Sequence, residues 1–187
     1  MKSLPYRHVV VSLLAAAVLL CTAWAAGAQT AAQIDRDVDN ALEKLFTGSP
    51  AAKNLAPAAR GILVFPNVVK GGLIVGGQYG KGALRIDGKT AGYYNTAAAS
   101  YGLQAGVQSF GYAMYLMTDD ALEYLKKSSG WEVGVGPSIV VVDEGVARSL
   151  STTSAKDDVY VFFFDQKGLM AGLGIQGSKI TQIQPGN

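Results

Sequence analysis

Glycine recurs inside the segments of this sequence that otherwise have the composition of β-strands. The chain contains 23 glycines, and many interrupt runs of β-branched and aromatic residues. These glycines are Gly71, Gly72, Gly76, Gly77, Gly80, Gly82, Gly102, Gly106, Gly111, Gly134, Gly136, Gly172, Gly174 and Gly177. Because glycine weakens a strand, repeated use indicates bends, bulges or close backbone approaches. The pattern predicts a strongly curled sheet or small barrel, with aromatic side chains over bare backbone.

Short turns between the apolar runs predict that most neighbouring strands are antiparallel. Asp87-Gly88 lies between two apolar runs and is a strong hairpin signal. We expect two more turns, at residues 143–145 and 165–168, where acidic residues and glycine follow strand-like segments. Turns this short cannot connect parallel strands. The expected fold class is therefore α+β, with a mostly antiparallel sheet.

Helical patterns lie before the sheet and once within it. In residues 30–46, apolar side chains recur at helical spacing. Ser49-Pro50 supplies an N-cap and an N1 proline for a second short helix. Residues 118–129 predict one inserted helix that begins after Thr118.

The first 28 residues have the features of a secretory signal peptide. Lys2 and Arg7 precede the mostly apolar run 9–20, and Ala26-Gly27-Ala28 is a small-x-small cleavage site. We expect cleavage after Ala28 and export to the periplasm or cell envelope, or secretion. The alternatives are an uncleaved membrane anchor and a lipoprotein acylated at Cys21. Residues 29–60 would then form an N-terminal helical segment that packs as one unit with a β-rich domain of residues 61–187.

Cleavage after Ala28 limits the chemistry of the mature chain. It removes the single histidine, His8, and the single cysteine, Cys21. Without imidazole or thiol, the chain lacks the groups for Ser-His-Asp or Cys-His catalysis and for the usual zinc sites. It leaves 14 basic and 14 acidic residues, since Lys2 and Arg7 are the charged residues removed from totals of 16 and 14. A near-neutral chain does not favour nucleic acid as a partner. We therefore expect no enzyme, no cofactor and no metal.

The run Gly172–Gly177 has the spacing of a dinucleotide-binding fingerprint, G-x-G-x-x-G. Such a fingerprint needs a helix opening on it and an acidic residue about twenty positions later. Ten residues remain after Gly177, and none of them is acidic. We therefore reject nucleotide binding at this run.

A second motif, Asp35-x-Asp37-x-Asp39, resembles the start of a calcium loop. Asn40 stands where the loop needs glycine, and Phe46 stands where it needs the closing glutamate. We expect a solvated helix face here.

Two groups of residues are candidates for a lipid-binding surface. Residues 92–95 and 110–117 carry more apolar bulk than a small core needs, so part of it is expected to face a lipid or a partner. The basic candidates for contact with phosphate head groups are Lys70, Lys81, Arg85 and Lys89. The alternative for these four is scattered, solvated charge.

Four segments, taken together and in order, resemble the SYLF-domain family. They are GILVFPNVVKGGLIVGGQYGKGAL, SYGLQAGVQSFGYAMYLMTDDALEYL, GWEVGVGPS and FFFDQKGLMAGLGIQGSKI. The resemblance implies a single domain without enzymatic activity that binds lipids, especially phosphoinositides in eukaryotic members, while some fungal relatives bind actin. Bacterial members are typically small exported proteins or lipoproteins.

The N-terminal helix departs from the family pattern. Lipid binding by eukaryotic members relies on a basic amphipathic segment at this end, whereas residues 35–44 carry four acidic and two basic side chains. We therefore carry over lipid association without phosphoinositide specificity. The predicted function is a non-enzymatic, exported lipid-binding domain. The alternative is a structural or protein-interaction module of the cell envelope without a lipid ligand.

Overall fold

The computed structural model describes residues 29–72, 75–101, 106–127, 130–168, 175 and 177–186. The predicted signal peptide with Cys21, and Gly172 and Gly174 of the final glycine run, lie outside these residues. The helices are α1 (Ala31–Gly48), α2 (Pro50–Leu55), α3 (Asp119–Lys127) and α4 (Glu144–Ser149), with a 3-10 turn at Ala56–Ala58. Among the described helices, none has both the length and the apolar character needed to cross a bilayer.

Eight strands of the described chain form one strongly curled sheet. They are β1 (Gly61–Gly72), β2 (Val75–Ile86), β3 (Lys89–Tyr101), β4 (Gly106–Leu116), β5 (Trp131–Glu132), β6 (Ile139–Val142), β7 (Val159–Gly168) and β8 (Lys179–Ile183). Their order across the sheet is β5-β8-β3-β2-β1-β4-β7-β6. All neighbours are antiparallel except β6 and β7, which are parallel. The predicted α+β class with a mostly antiparallel, curled sheet is confirmed.

Local capping residues start the helices where the sequence predicts them. Thr30 forms a capping box with Gln33 at the start of α1, and the Ser49 hydroxyl accepts a hydrogen bond from the Ala52 amide at the start of α2. The Thr118 hydroxyl likewise accepts from the Ala121 amide and begins α3. The three predicted helices are confirmed, with α3 described to Lys127.

One predicted hairpin turn is confirmed, and two are wrong. Asp87 and Gly88 both have positive φ, 50° and 74°, as a tight turn between antiparallel strands requires. Asp143, in contrast, caps α4 by accepting from the Val146 amide, because an acidic residue serves an N-cap as well as a turn. Residues 165–168 instead belong to strand β7. The pairing of β7 with β4 shifts register between Phe164 and Lys167, so this segment contains a β-bulge and not a turn.

Pro66 and Gly82 together bend the centre of the sheet. Pro66 cannot donate to a ladder, and β1 shifts register at this point against both β2 and β4. The bulge brings the Val64 carbonyl so close to Gly82 that a Cβ atom there would overlap it. Gly111 similarly lies directly under the Phe164 ring. These two glycines permit the close approaches predicted from the sequence.

The two faces of the sheet carry separate hydrophobic clusters. One face, here called the core face, holds the larger cluster, which includes Trp131 of β5 and Leu125 of α3. The other face, called the helix face, is covered by α1 and α2, with Val38 packed in the same cluster as Tyr115. The final glycine run ends at Gly177 in a turn (φ 73°) that leads into strand β8.

Candidate functional site

The four basic candidates do not form one cluster. Lys81 and Arg85 lie on the helix face of β2, while Lys70 and Lys89 pair with the core-face positions Gln78 and Ile86. These two positions are eight residues apart on β2, which corresponds to about 26 Å along the strand. The predicted local basic cluster is therefore corrected to charges at separate sites.

Arg85 is buried beneath α1, with a relative exposure of 9%. Its guanidinium donates to the Asp39 carboxylate at 2.6 Å and to the Asp35 carbonyl at 3.1 Å. It also forms an ion pair with the Asp35 carboxylate at 3.2 Å and donates to the Thr90 hydroxyl. These contacts engage the Arg85 charge inside the fold, so we assign it a structural role.

The predicted solvated acidic face of α1 is corrected at Asp35, which is half-buried, whereas Asp39 is exposed as predicted and also contacts the sheet. Positions four residues apart share a helix face, and both carboxylates contact Arg85 of the sheet. The Asp35 carboxylate also accepts from the Tyr93 hydroxyl at 2.9 Å. Burial raises the pKa of Tyr93, and the hydrogen bond to Asp35 adds to the rise. The acidic residues therefore anchor α1 to β2 and β3.

Most of the apolar bulk predicted to face a lipid is core. Phe110 and Tyr112 to Leu116 are each at most 1% exposed. The pleat sends alternate side chains to opposite faces, and both faces of β4 are covered at this end, by α3 on one side and α1 on the other. Tyr94 is buried as well, and Tyr93 is half-buried. The large apolar side chains of these two segments are therefore mostly buried, because the sheet has a hydrophobic core on each of its faces.

An exposed apolar patch lies elsewhere, on the part of the helix face beyond α1. The helix crosses the sheet obliquely, from Tyr93 on β3, bonded to Asp35, to Asp165 on β7, whose carboxylate binds Lys44 at 2.7 Å. The strands continue past it. The patch, here called the distal patch, consists of Val69 (46% exposed), Val75 (65%), Tyr79 (48%) and Val107 (67%).

Lysines lie at both ends of a row of paired residues that crosses the distal patch. The row runs across six strands as Lys179, Ala97, Tyr79, Val69, Ser109 and Lys167. Directly paired residues point to the same face, so all six side chains are on the helix face. With strands about 4.8 Å apart, the two lysine backbones are about 24 Å apart along the sheet. Lys81 lies two residues from Tyr79 on the same face of β2.

The distal patch could not be predicted from the sequence because its members are spread over three strands. A signal exists in β2, where Val75, Gly77, Tyr79 and Lys81 alternate with period two. The register that aligns these residues with Val69 and Val107 comes from the pairing of β1 with β2 and β4. Within the described residues, no three His, Cys, Asp or Glu side chains converge as a metal site.

Comparison with known proteins finds a family-model match within the second half of the chain. Residues 97–187 match the model of a family described as Ysc84, Las17-binding protein actin regulator. This family carries the SYLF domain, so the resemblance seen in the sequence is confirmed over this region. The match covers β4, β7 and β8, which supply Val107, Lys167 and Lys179. A search of curated proteins found no match.

Proposed function

We propose that this chain is a non-enzymatic lipid-binding domain of the cell envelope that contacts anionic membrane surfaces through the distal patch. Its resemblance to the SYLF-domain family supports a binding module rather than a catalyst. Lys81, Lys167 and Lys179 would meet phosphate groups while the patch enters the interfacial region. This surface replaces the basic cluster expected from the sequence, since Arg85 is engaged beneath α1.

The observation that carries the proposal is the exposed patch itself. Three valines and a tyrosine stand nearly half exposed or more on one face of a sheet whose remaining large apolar side chains are mostly buried. Contiguous apolar surface of this kind marks contact with a membrane or a partner. Tyrosine has the amphipathic ring that favours the level of lipid head groups. Lysines on the same face favour a negatively charged surface over a neutral one.

The expected affinity is low and reversible. Full burial of a Val side chain contributes about 1.5–3 kcal/mol, so half-exposed side chains contribute on the order of 1 kcal/mol each on insertion. Each lysine near an anionic surface adds about 1 kcal/mol. The summed binding free energy is comparable to that of a single acyl chain, which anchors a protein to a membrane only weakly and reversibly. Such an affinity is typical of a peripheral membrane domain.

Export of the chain is also part of the proposal. The basic start, the apolar run and the Ala26-Gly27-Ala28 site support cleavage after Ala28, and acylation of Cys21 is the competing product. The intact mass of the protein isolated from its host distinguishes the two. A mass that still includes residues 1–28 without acylation would contradict both forms of export.

Vesicle flotation tests the proposal directly. We expect purified protein to float with phosphatidylglycerol-containing vesicles and much less with pure phosphatidylcholine vesicles. Val107→Glu should abolish flotation because it places a charge in the distal patch. Val135→Glu is the matched control, since Val135 is a 56% exposed valine outside the patch.

A protein-binding role is the competing function, and the family description, which names Las17 binding and actin regulation, favours testing it. If wild-type protein fails to float with either vesicle, or if Val107→Glu floats like Val135→Glu, the lipid proposal is wrong. The chain would then be a structural or protein-interaction module, and the distal patch its candidate protein contact.

A further inference from the structure

A groove separate from the distal patch lies at the β6 edge of the sheet. The junction of α1 and α2 forms one wall, α4 forms the other, and β6 and β7 contribute the floor. Its volume is about 780 Å³, within the range of roughly 300–1,000 Å³ typical of small-molecule sites. Its apolar lining includes Leu45, Pro50, Ala51, Val142, Ala147 and Phe162.

Two of the polar side chains in the wall are already used by the fold. The Ser49 hydroxyl accepts from the Ala52 amide at 3.2 Å, and the Asp143 carboxylate accepts from the Val146 amide at 2.8 Å. Each interaction caps a helix, and removing a cap costs about 1 kcal/mol. Arg148 of α4 and Gln166 of β7 complete the polar lining. The rest of the lining is mostly apolar, which favours a hydrocarbon chain because such a chain requires no hydrogen-bonding partner.

The rim of the groove connects it to the lysine row. Gln166 lines the groove at the β7 bulge, and the next residue, Lys167, ends the row beside the distal patch. The Lys44–Asp165 ion pair stands at the same bulge, which fixes α1 next to the rim. A molecule whose chain occupies the groove would thus have its polar end near Lys167.

We propose that the groove binds one linear acyl chain, with its anionic head group at the Gln166–Lys167 rim. The inference rests on the proposed lipid function and adds a second, concave site for a single lipid molecule. The shared chemistry is an apolar chain with a negatively charged end, which occurs in free fatty acids and in anionic phospholipids.

Binding of the fluorescent fatty acid cis-parinaric acid tests the groove. We expect saturable binding of one molecule per chain with increased fluorescence. Ala147→Trp and Ala51→Trp each fill the groove from a different wall and should weaken binding about tenfold or more, equivalent to a loss of about 1.4 kcal/mol. Ala91→Trp, at an exposed alanine of β3, is the matched control and should bind like wild type. Circular dichroism confirms that each variant is folded.

Competition identifies the source of the chain. Displacement of the probe by oleate at a lower concentration than by lysophosphatidylglycerol indicates a free fatty acid, and the reverse order indicates a phospholipid. Displacement by neither, or unchanged binding in both groove-filling variants, would overturn the proposal. Failure here is distinct from failure of the membrane function, because Val107→Glu should lose vesicle flotation and keep full probe binding.

Discussion

The Arg85 guanidinium donates to the Asp39 carboxylate at 2.6 Å across the interface between α1 and the sheet. Asp35, one turn earlier on the helix, binds the same guanidinium, the Thr90 hydroxyl and the Tyr93 hydroxyl. The helix is thus held in register by charged and polar contacts at one end and by Lys44–Asp165 at the other. This placement of α1 determines which part of the helix face stays exposed as the distal patch.

Replacing Arg85 should destabilise the fold much more than replacing Asp39. Arg85→Met leaves Asp35 without its cationic partner in a partly buried site, and we expect a loss of about 2–3 kcal/mol in the free energy of unfolding. Asp39 is 69% exposed at its side chain, so Asp39→Asn should cost less than about 1 kcal/mol. Urea unfolding followed by circular dichroism measures both. Equal midpoints for Arg85→Met and wild type would contradict the structural role assigned to Arg85.

Contacts within a few residues explain which parts of the fold were predictable. Thr30, Ser49 and Thr118 each cap a helix through an amide three residues away, and the Asp87-Gly88 turn joins adjacent strands. These signals act locally and need no knowledge of the tertiary fold. The sequence therefore predicted α1, α2, α3 and the first hairpin correctly, whereas α4 stands where a turn was expected.

Contacts between distant segments explain what the sequence could not predict. Arg85 and Asp35 are fifty positions apart, so the acidic face of α1 resembled a solvated one until α1 was placed on the sheet. Asp143 fits both a hairpin turn and a helix cap, and the parallel pairing of β6 with β7 decides in favour of the cap. Lys167 and Lys179 are close in sequence yet at opposite ends of the lysine row.

Substitution of the close-approach glycines should follow the rigidity of their neighbours. At Gly82 an added Cβ meets the Val64 backbone carbonyl, which cannot move without shifting β1, so Gly82→Ala should cost up to about 3 kcal/mol. At Gly111 the obstacle is the Phe164 ring, which can turn, and the cost should be smaller. Gly48→Ala is the control, because a Cβ there meets nothing within 4 Å. Thermal unfolding should rank Gly82→Ala lowest, and a higher midpoint for it than for Gly111→Ala would refute the bulge argument.

The two end lysines should contribute unequally to vesicle binding. Lys179 lies opposite the acidic Glu132 in the register of β8 with β5, whereas Lys167 lies opposite the uncharged Ser109 in the register of β7 with β4. Lys167→Gln should therefore reduce flotation with anionic vesicles more than Lys179→Gln, by up to about fivefold for a charge worth about 1 kcal/mol. Lys126→Gln, on the exposed side of α3, is the control. Raising the salt concentration should shrink these differences because exposed charges are screened. If flotation is insensitive to salt, the lysines have no electrostatic role.

Asp158 should make stability depend on pH in the acidic range. Its carboxylate accepts from the Ser138 amide and hydroxyl, both at 2.9 Å, and from the Thr118 hydroxyl at 3.2 Å. The Ser138 hydrogen bonds hold the pKa of Asp158 below its ordinary value of 3.8. These contacts join the start of α3 to the segment before β6.

A lowered pKa in the folded state means that folding favours the ionised carboxylate. The contribution of Asp158 to stability is therefore complete above its unfolded pKa and is lost as the pH falls through its lower, folded value. We expect Asp158→Asn to lower the urea midpoint at neutral pH, with the difference from wild type shrinking only below about pH 4. Asp157→Asn, one residue earlier, serves as the comparison. A difference that stays constant down to the lowest pH at which the protein folds would show that Asp158 acts through hydrogen-bond geometry and not through its charge.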